Sequence, residues 1–117
     1  MKTTNENKMN EDSRRIARIR RQLLPDEVRD RLPMLYSQEE RGMDAVAQVK
    51  FFTPWTSWTW YASEYDPTEE LFFGVVVGLE REFGYFALAE LVSVSGPGGL
   101  AIERDEFWNP RPLSECA

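Results

Sequence analysis

The sequence contains no histidine and a single cysteine, Cys116. Histidine is the usual general base near neutral pH and a common metal ligand, so its absence excludes Ser-His and Cys-His nucleophile arrangements. One cysteine can form neither an intrachain disulfide nor a multi-cysteine metal site. We therefore expect a protein that is not an enzyme and that has no cofactor and no metal centre.

Long apolar segments are also missing. No run approaches the roughly 18 to 20 apolar residues that a membrane helix needs, and the first residues, MKTTNENKMNEDS, are polar where a secretory signal is apolar. A chain of 117 residues is long enough to bury one hydrophobic core. These features predict a cytoplasmic protein that does not associate with membranes.

Charge is distributed unevenly along the chain, whose formal net charge is −6. Residues 1–31 contain nine basic and six acidic side chains, whereas residues 32–117 contain five basic and fourteen acidic ones. The acidic body is repelled by phosphate, so we do not expect it to bind nucleic acid directly. It suits basic protein surfaces, including those that hold nucleic acid.

The N-terminal segment predicts a basic amphipathic helix. Residues 1 to about 10 are polar and predict irregular chain, whereas apolar residues at Ile16, Ile19 and Leu23 have helical spacing over residues 13–24. Pro25 interrupts this helix and favours a second helical segment over residues 26–32. We predict an extension at residues 1–22 and one α+β domain at residues 23–117. The arginines that lie off the apolar stripe are Arg14, Arg15, Arg18 and Arg21.

The remaining residues predict an antiparallel sheet. Strands are expected at residues 45–52, 58–65, 71–79 and 83–86, with a turn at residues 66–70. A short helix is expected at residues 88–94, a loop at Gly96-Pro97-Gly98-Gly99, a brief edge strand at residues 100–102 and a helical turn near residues 105–108. The predicted fold is α+β, an antiparallel β-meander of about four strands with short helices on one face and an N-terminal basic helix.

Several segments, in this order, resemble an uncharacterised bacterial family. They are LPMLY at residues 32–36, KFFTP at 50–54, WTWYASEYD at 58–66, LFFG at 71–74 with Gly78, GYF at 84–86, EL at 90–91, and GP at 96–97 leading to IERD at 102–105. The resemblance implies a single domain of unknown function that is common on plasmids, phages and other mobile elements. It also implies a functional lead, since some proteins similar to this family are anti-CRISPR inhibitors of the Cas nuclease of type II systems. It implies no catalytic residues, and residues 1 to about 22 look like an addition to the family length.

Aromatic residues are densest around the second predicted strand, at Phe51, Phe52, Trp55, Trp58, Trp60 and Tyr61. Strict alternation places Trp58, Trp60, Ala62 and Glu64 on one face of that strand and Thr59, Tyr61, Ser63 and Tyr65 on the other. These rings either anchor a partner or pack in the core, and the sequence leaves both interpretations open.

Carboxylates occur in three pairs, Glu64 with Asp66, Glu80 with Glu82, and Glu103 with Asp105. Two converging pairs could bind a divalent cation and support a metal-dependent enzyme. The simpler interpretation is solvated or turn-capping charge. The loop at residues 96–99 lacks the lysine of a phosphate-binding loop, so we interpret it as a plain loop.

The hypothesis that we favour from the sequence is a non-enzymatic inhibitor that is encoded on a mobile element. It would bind a protein partner, such as a CRISPR effector nuclease, and occlude a basic groove. The predicted partner-binding residues are Glu64, Asp66, Glu69, Glu70, Trp55 and Trp58. One alternative is a nucleic-acid-associated accessory protein that uses Arg14, Arg15, Arg18 and Arg21. The other alternative is the metal-dependent enzyme.

Overall fold

The computed structural model describes the backbone of residues 3–116 and the side chains of residues 10–116. Helix α1 spans Thr3–Leu23, helix α2 spans Asp26–Arg29 and helix α3 spans Leu88–Ser93. Helix α1 begins about ten residues earlier than predicted, so the expectation of irregular chain is wrong over residues 3–10. The part of that expectation that concerns residues 1 and 2 lies outside the described residues.

The N-terminal helix ends where the sequence predicts. A residue that precedes proline is disfavoured in helical conformation, so Pro25 stops α1 just after Leu23. Ile19 and Leu23 are buried in the same core as the sheet, and α1 therefore crosses the predicted boundary between residues 22 and 23. Helix α2 follows Pro25 as expected but is only one turn long, shorter than the predicted segment.

The main sheet has five antiparallel strands in the order β5-β4-β3-β2-β6. Their bounds are β2 Val49–Phe52, β3 Thr59–Asp66, β4 Leu71–Val77, β5 Arg81–Ala87 and β6 Glu103–Arg104. Strands β2 to β5 pair in chain order, which confirms the predicted meander and the α+β class. Strand β6 pairs with the outer side of β2, close to the predicted edge strand.

A second, two-stranded ribbon joins β1 at Val46–Ala47 to β7 at Arg111–Pro112. The predicted first strand is therefore divided at Gln48, whose N–H donates to the carbonyl of Ala62 at 2.8 Å. Strand β7 was not predicted, because two prolines in a short segment argue against a strand unless it lies at an edge. Short 3₁₀ helices span Glu39–Asp44, Pro97–Gly99 and Leu113–Glu115.

A β-bulge in β3 changes which side chains share a face. The pairing with β4 shifts between Ala62 and Glu64, so the extra residue Ser63 reverses the alternation. Tyr65 therefore packs with Ala62 in the core under the helices, and Glu64 lies on the opposite face, with Tyr61. The strict alternation predicted for this strand is wrong beyond Ala62.

Both faces of the sheet are partly covered. The helices pack on the face that contains Phe51 and Phe72, and the ring of Phe72 contacts those of Tyr65 and Phe86 at centroid distances of 4.6 and 5.2 Å. The chain after β6 covers part of the other face by burying Leu113 and Cys116 against Tyr61 and Val75. Full burial of one large apolar side chain contributes about 1.5 to 3 kcal/mol.

Candidate functional site

The predicted acidic residues have different roles at one end of β3. Glu64 is only 3% exposed, and its two carboxylate oxygens accept the backbone N–H groups of Tyr36 at 2.8 Å and Gln38 at 2.7 Å. Asp66 Oδ1 accepts the N–H groups of Thr68 and Glu69 and so caps the turn. Glu64 is therefore a structural anchor, and its prediction as a surface contact is corrected by its burial.

The other two carboxylates lie in the β3–β4 turn. Glu69 is exposed, and Glu70 forms an ion pair with Arg20 that ties this turn to α1. The turn therefore presents Glu69 freely, whereas Glu70 is held by a neighbouring cation.

The predicted tryptophans lie at the other end of the same strand. Trp58 is 40% exposed and its ring covers Gly78, while the ring of Trp55, half-buried, covers Gly96. At about 3.3 Å per residue, the length of β3 separates Trp58 from Asp66 by about 23 to 26 Å. The structure therefore does not bring the two halves of the predicted patch together.

The other aromatic residues of that dense segment lie largely in the interior. Phe51 and Tyr61 are buried, and Phe52 and Trp60 are half-buried. The core interpretation therefore applies to most of this segment, and Trp58 is its one exposed ring.

The predicted arginines divide between two environments. Arg15 donates to the backbone carbonyl of Gly99 at 3.0 Å, so it joins α1 to the loop at residues 96–99. Arg14, Arg18 and Arg21 are exposed and follow one another at i, i+4 and i+7, which places them on one face of α1. None of these three makes an ion pair within residues 10–116.

An exposed aromatic cluster lies on the face of the sheet away from the helices. We call it the aromatic platform, and it consists of Tyr36, Phe73, Phe83 and Tyr85. Tyr36 is 59% exposed, Phe83 is 49% exposed and Tyr85 is 51% exposed. Phe73 lies between them, with ring centroids 5.8 Å from Phe83 and 4.9 Å from Tyr85. The rings of Tyr36 and Tyr85 are 6.3 Å apart.

Glu64 holds the most exposed ring of the platform in place. Tyr36 has a φ of 72°, in the left-handed region that non-glycine residues rarely adopt. Its N–H donates to Glu64, which also binds Gln38 on the other side of Ser37. Such strain costs on the order of 1 to 3 kcal/mol and persists only where surrounding contacts enforce it. The backbone of Tyr36 is therefore held by Glu64 in a conformation that directs the ring towards solvent beside Tyr85.

Negative charge surrounds the platform. A hydrogen bond with Tyr36 raises the pKa of Tyr85 above its ordinary value, and partial desolvation, the neighbouring Tyr36 phenol and the carboxylates of Glu39 and Glu64 raise it further. No lysine or arginine forms an ion pair with Glu39 or Glu64 in the part of the chain whose side chains are described. The platform thus combines aromatic surface with unneutralised carboxylates.

A cavity of about 220 Å³ opens beside the platform. Its walls are mainly apolar, and both Phe73 and Phe83 line it. Gln38, Glu39 and Glu64 are also among its lining residues, although polar atoms form little of its surface. The cavity and the platform therefore share two rings and form one continuous surface.

The platform borders an open edge of the sheet. Strand β5 ends the strand order, so its outer side pairs with no strand among residues 3–116. The N–H of Leu88 donates to the carbonyl of Glu70 at 3.0 Å, just beyond the pair Leu71–Ala87. By the alternation of antiparallel pairs, the backbone groups of Phe83 and Tyr85 point away from β4. They are available to an added strand.

A larger groove of about 730 Å³ lies on the opposite side of the molecule, between α1 and residues 99–107. It contains Lys50 and Asp105, whose charged groups are 3.9 Å apart, and the exposed ring of Phe107. Its lining mixes two basic side chains, Lys50 and Arg104, with the acidic side chains of Glu103, Asp105 and Glu106. The groove therefore indicates the chemistry of a binding partner less clearly than the platform does.

The carboxylate pairs do not converge. No group of three or more histidine, cysteine, aspartate or glutamate side chains that could hold a metal ion occurs among the described residues. Glu64 binds backbone N–H groups and Asp105 is paired with Lys50. Among the described residues, the three predicted carboxylate pairs therefore share no common metal-binding site.

The aromatic platform was missed by the sequence analysis, although part of its signal is visible there. Phe83 and Tyr85 are two residues apart in one strand and must share a face. The position of Tyr36 carries no such signal, because it depends on the bulge that turns Glu64 towards residues 36–38.

Comparison with known proteins identifies a family. Residues 23–117 match the model of a family described as a protein of unknown function, DUF2958. No curated protein and no solved structure matches the chain. None of the helices in the described part of the chain is both long and apolar enough to cross a membrane.

Proposed function

Because the chain belongs to the DUF2958 family, whose description assigns no activity, we propose from the geometry of the platform that it is a non-enzymatic protein that binds another protein. The main supporting observation is the exposed ring of Tyr36, on a backbone that Glu64 anchors, in a cluster with Tyr85, Phe73 and Phe83. Tyrosine is enriched among the residues that dominate binding energy, and exposed aromatic clusters mark interaction sites.

The charge of the body favours a basic partner. Glu39 and Glu64 lie near the platform and form no ion pair with the basic side chains described in residues 10–116, and residues 32–117 carry far more acidic than basic side chains. A partner surface that is rich in arginine and lysine complements this field and is attracted over long range. The open edge of β5 adds a second mode of contact, because an extended partner segment can hydrogen-bond along it.

A more specific proposal is that the protein inhibits the partner that it binds. A basic groove that normally holds nucleic acid has the required charge, and the resemblance of the sequence suggests an inhibitor that is encoded on a mobile element and blocks a CRISPR effector nuclease. In this proposal the platform anchors the contact and the exposed Glu69 contributes charge from the β3–β4 turn. Occlusion of the groove would then prevent nucleic acid from binding.

The general proposal is tested by capture of a partner. The tagged protein is incubated with bacterial lysate, with and without nuclease treatment, and bound proteins are identified by mass spectrometry. We expect one complex to be retained after nuclease treatment and to be lost when Tyr36 and Tyr85 are both replaced by alanine. The matched control is Phe107→Ala, which removes a ring that is 90% exposed but lies outside the platform.

Equal capture by the Tyr36/Tyr85 variant and by the wild-type protein would refute the platform as the binding site. The inhibitor proposal has its own assay, in which a guide-loaded type II Cas nuclease cleaves matched DNA with and without a molar excess of the protein. Inhibition that the Tyr36/Tyr85 variant lacks supports it. Undiminished cleavage rules out this nuclease as the target.

A second candidate function rests on the arginine face of α1. Arg14, Arg18 and Arg21 are exposed and unpaired within residues 10–116, so they are available to phosphates. Three such contacts predict that the logarithm of the DNA-binding constant falls with a slope of about −2.7 against the logarithm of salt concentration. Replacing the three arginines by glutamine should abolish this binding, and binding that is unaffected would exclude the α1 face.

A further inference from the structure

The outer side of β5 has backbone groups that no described residue uses. Antiparallel alternation directs the N–H and carbonyl groups of Phe83 and Tyr85 away from β4. Neither residue forms an outward backbone hydrogen bond with any residue among 3–116. Ala87, the next outward residue, already donates its N–H to the carboxylate of Glu90. The free part of the edge therefore consists of two donors and two acceptors on either side of one glycine.

This edge lacks the usual features that keep strand edges from pairing. Such features include proline, lysine and β-bulges. Arg81–Ala87 contains no proline and no lysine, and its pairing with β4 is regular from end to end. The guanidinium group of Arg81 donates to the carbonyls of Leu113 and Cys116, so it is held by its own chain. The edge is therefore a template on which another strand can pair.

The sequence of β5 is complementary to itself. When two copies pair antiparallel about a two-fold axis at Gly84, Phe83 of each copy lies directly opposite Tyr85 of the other. These are the hydrogen-bonded pairs of the new ladder, so all outward groups of both residues are satisfied. Aromatic pairs that face each other across two strands also stabilise a sheet. The chain itself thus supplies a strand that fits this edge.

Local charge does not oppose the pairing. In the same register Arg81 lies opposite Ala87 and Glu82 lies opposite Phe86, so no two like charges face each other directly. The net charge of −6 on each copy still repels the other copy over longer distances. Because salt screens such repulsion, we expect the association to be favoured by salt.

The size of the contact indicates a weak association. Phe83 is 49% exposed and Tyr85 is 51% exposed, so each copy contributes about half of two aromatic side chains that offer about 150 to 250 Å² each. A standard stable interface buries about 800 Å² on each partner. The β5 edge is smaller than that, and we expect a dissociation constant above about 1 μM.

We propose that two copies of this chain associate through their β5 edges, with Phe83 against Tyr85, and form one continuous antiparallel sheet. The two-fold axis is perpendicular to the sheet, so both aromatic platforms lie on the same face and the second copy extends each of them. That the joined platform binds a partner rests on the function proposed above. An extended segment of another protein is the competing occupant, because it would use the same backbone groups.

The register is tested by placing a cysteine at the two-fold axis. Gly84 faces Gly84 of the other copy as a non-hydrogen-bonded pair, whose Cα atoms are about 4.5 Å apart and within reach of a disulfide. A Cβ atom at Gly84 would meet nothing within 4 Å, so Gly84→Cys should fold. The matched control is Glu82→Cys, because its two copies lie four residues apart along the ladder, at about 13 Å.

Both variants and the wild-type protein are incubated in a glutathione redox buffer and run on a non-reducing gel. Two thiols form the disulfide, and oxidised glutathione is reduced to two molecules of glutathione. We expect the covalent dimer of Gly84→Cys to form at least about tenfold faster than that of Glu82→Cys. The wild-type protein controls for Cys116, which is 2% exposed, and should form no dimer. Equal rates for the two variants, or no dimer from Gly84→Cys, would overturn the proposal.

The unmodified protein is tested by sedimentation equilibrium from about 10 μM to about 1 mM, a range that detects weak association. The average mass should rise from 13.6 kDa towards twice that value. Phe83→Lys, which places a lysine on the edge, should weaken the association several-fold, whereas Phe107→Ala should leave it unchanged. A mass that stays at 13.6 kDa at every concentration would overturn the dimer and leave the edge to a segment of another protein.

Amide hydrogen exchange locates the contact in the same samples. The N–H groups of Phe83 and Tyr85 should exchange more slowly in the concentrated sample, because they become bonded to the second copy. The N–H of Gly84 faces β4 in each copy and should exchange at the same rate in both samples. A dimer in which Phe83 and Tyr85 exchange at unchanged rates would use another surface and would overturn the proposed pairing.

The two proposals can fail separately. If a protein that stays monomeric captures a partner, and capture is lost in the Tyr36/Tyr85 variant, the dimer is overturned and the protein-binding function is supported. If Gly84→Cys cross-links as expected but partner capture ignores the platform, the dimer is supported and the proposed function is overturned.

Discussion

Substitution of Gly74 tests the bulge on which the platform depends. Gly74 lies in β4 opposite Ala62, where β3 bulges, and a Cβ atom there would stand 1.7 Å from the carbonyl oxygen of Tyr61 and 2.8 Å from its carbonyl carbon. Since such contacts are essentially never shorter than 3.0 Å, the two backbones would have to separate by about 1.3 Å. Gly74→Ala therefore strains the centre of the sheet rather than the end of a flexible side chain.

The magnitude follows from the atoms involved. Inserting a methyl group into a packed interior costs about 1 to 3 kcal/mol. The β3–β4 hydrogen bonds that stretch contribute about 1 kcal/mol each, and the gain from replacing glycine returns only about 0.4 to 1 kcal/mol. We expect Gly74→Ala to lower the free energy of unfolding by about 3 kcal/mol, a large part of the 5 to 15 kcal/mol typical of a domain.

Gly84 provides a matched control in the neighbouring strand. It pairs directly with Gly74 in the sheet, yet a Cβ atom there would meet nothing within 4 Å. Gly84→Ala should therefore leave stability unchanged or raise it by up to about 1 kcal/mol. The same chemical change is thus expected to have opposite effects at two adjacent positions.

Urea unfolding followed by tryptophan fluorescence measures both variants. With a slope of about 1 to 2 kcal/mol per molar urea, Gly74→Ala should lower the midpoint by about 1.5 to 3 M. A Gly74→Ala protein as stable as the wild type would refute the close approach of β3 and β4 at the bulge. Equal destabilisation by Gly84→Ala would show that the sheet tolerates no methyl group at this level and would remove the contrast.

Three further predictions follow from the anchor, the helix and the buried ionisable groups. Glu64→Gln replaces one of two charge-assisted acceptors by an N–H₂ group, so we expect the free energy of unfolding to fall by about 1.5 to 3 kcal/mol. Amide hydrogen exchange at Tyr36 and Gln38 should become faster. Unchanged exchange at both amides would contradict the role of Glu64 as an anchor. Removal of residues 1–22 takes the buried side chain of Ile19 from the core and also removes the ion pair between Arg20 and Glu70. It should cost at least about 1.5 to 3 kcal/mol, and a urea midpoint equal to that of the full chain would contradict the packing of α1. Burial raises the pKa of Cys116, Tyr61 and Tyr65, so these groups lose their protons at lower pH in the unfolded chain than in the folded protein. Their contribution to stability is complete below about pH 8.5 and should fall as the pH rises through about 9 to 11. A urea midpoint that stays constant over that range would contradict this prediction.

Local patterns in the sequence were sufficient to predict strands β2 to β5 and their order, but neither β7 nor the start of α1. Pro25 ends α1, alternating aromatic and β-branched residues predict β3, and the short turns between β3, β4 and β5 make them neighbours. The acidic body and the basic N-terminal segment are likewise properties of composition. These features were predictable because they depend on neighbouring residues.

Tertiary structure decided the site. One extra residue in β3 moves Glu64 to the face that it shares with Tyr61, where it binds the N–H groups of Tyr36 and Gln38. The predicted acidic and tryptophan contacts were separated because β3 is extended and Trp58 and Asp66 lie at its opposite ends. A bulge is selected by contacts between strands that are distant in sequence, and a buried carboxylate is favourable only where a loop supplies its donors. The sequence alone therefore determined the central strands β2 to β5, and the packing between them decided which side chains reach the surface together.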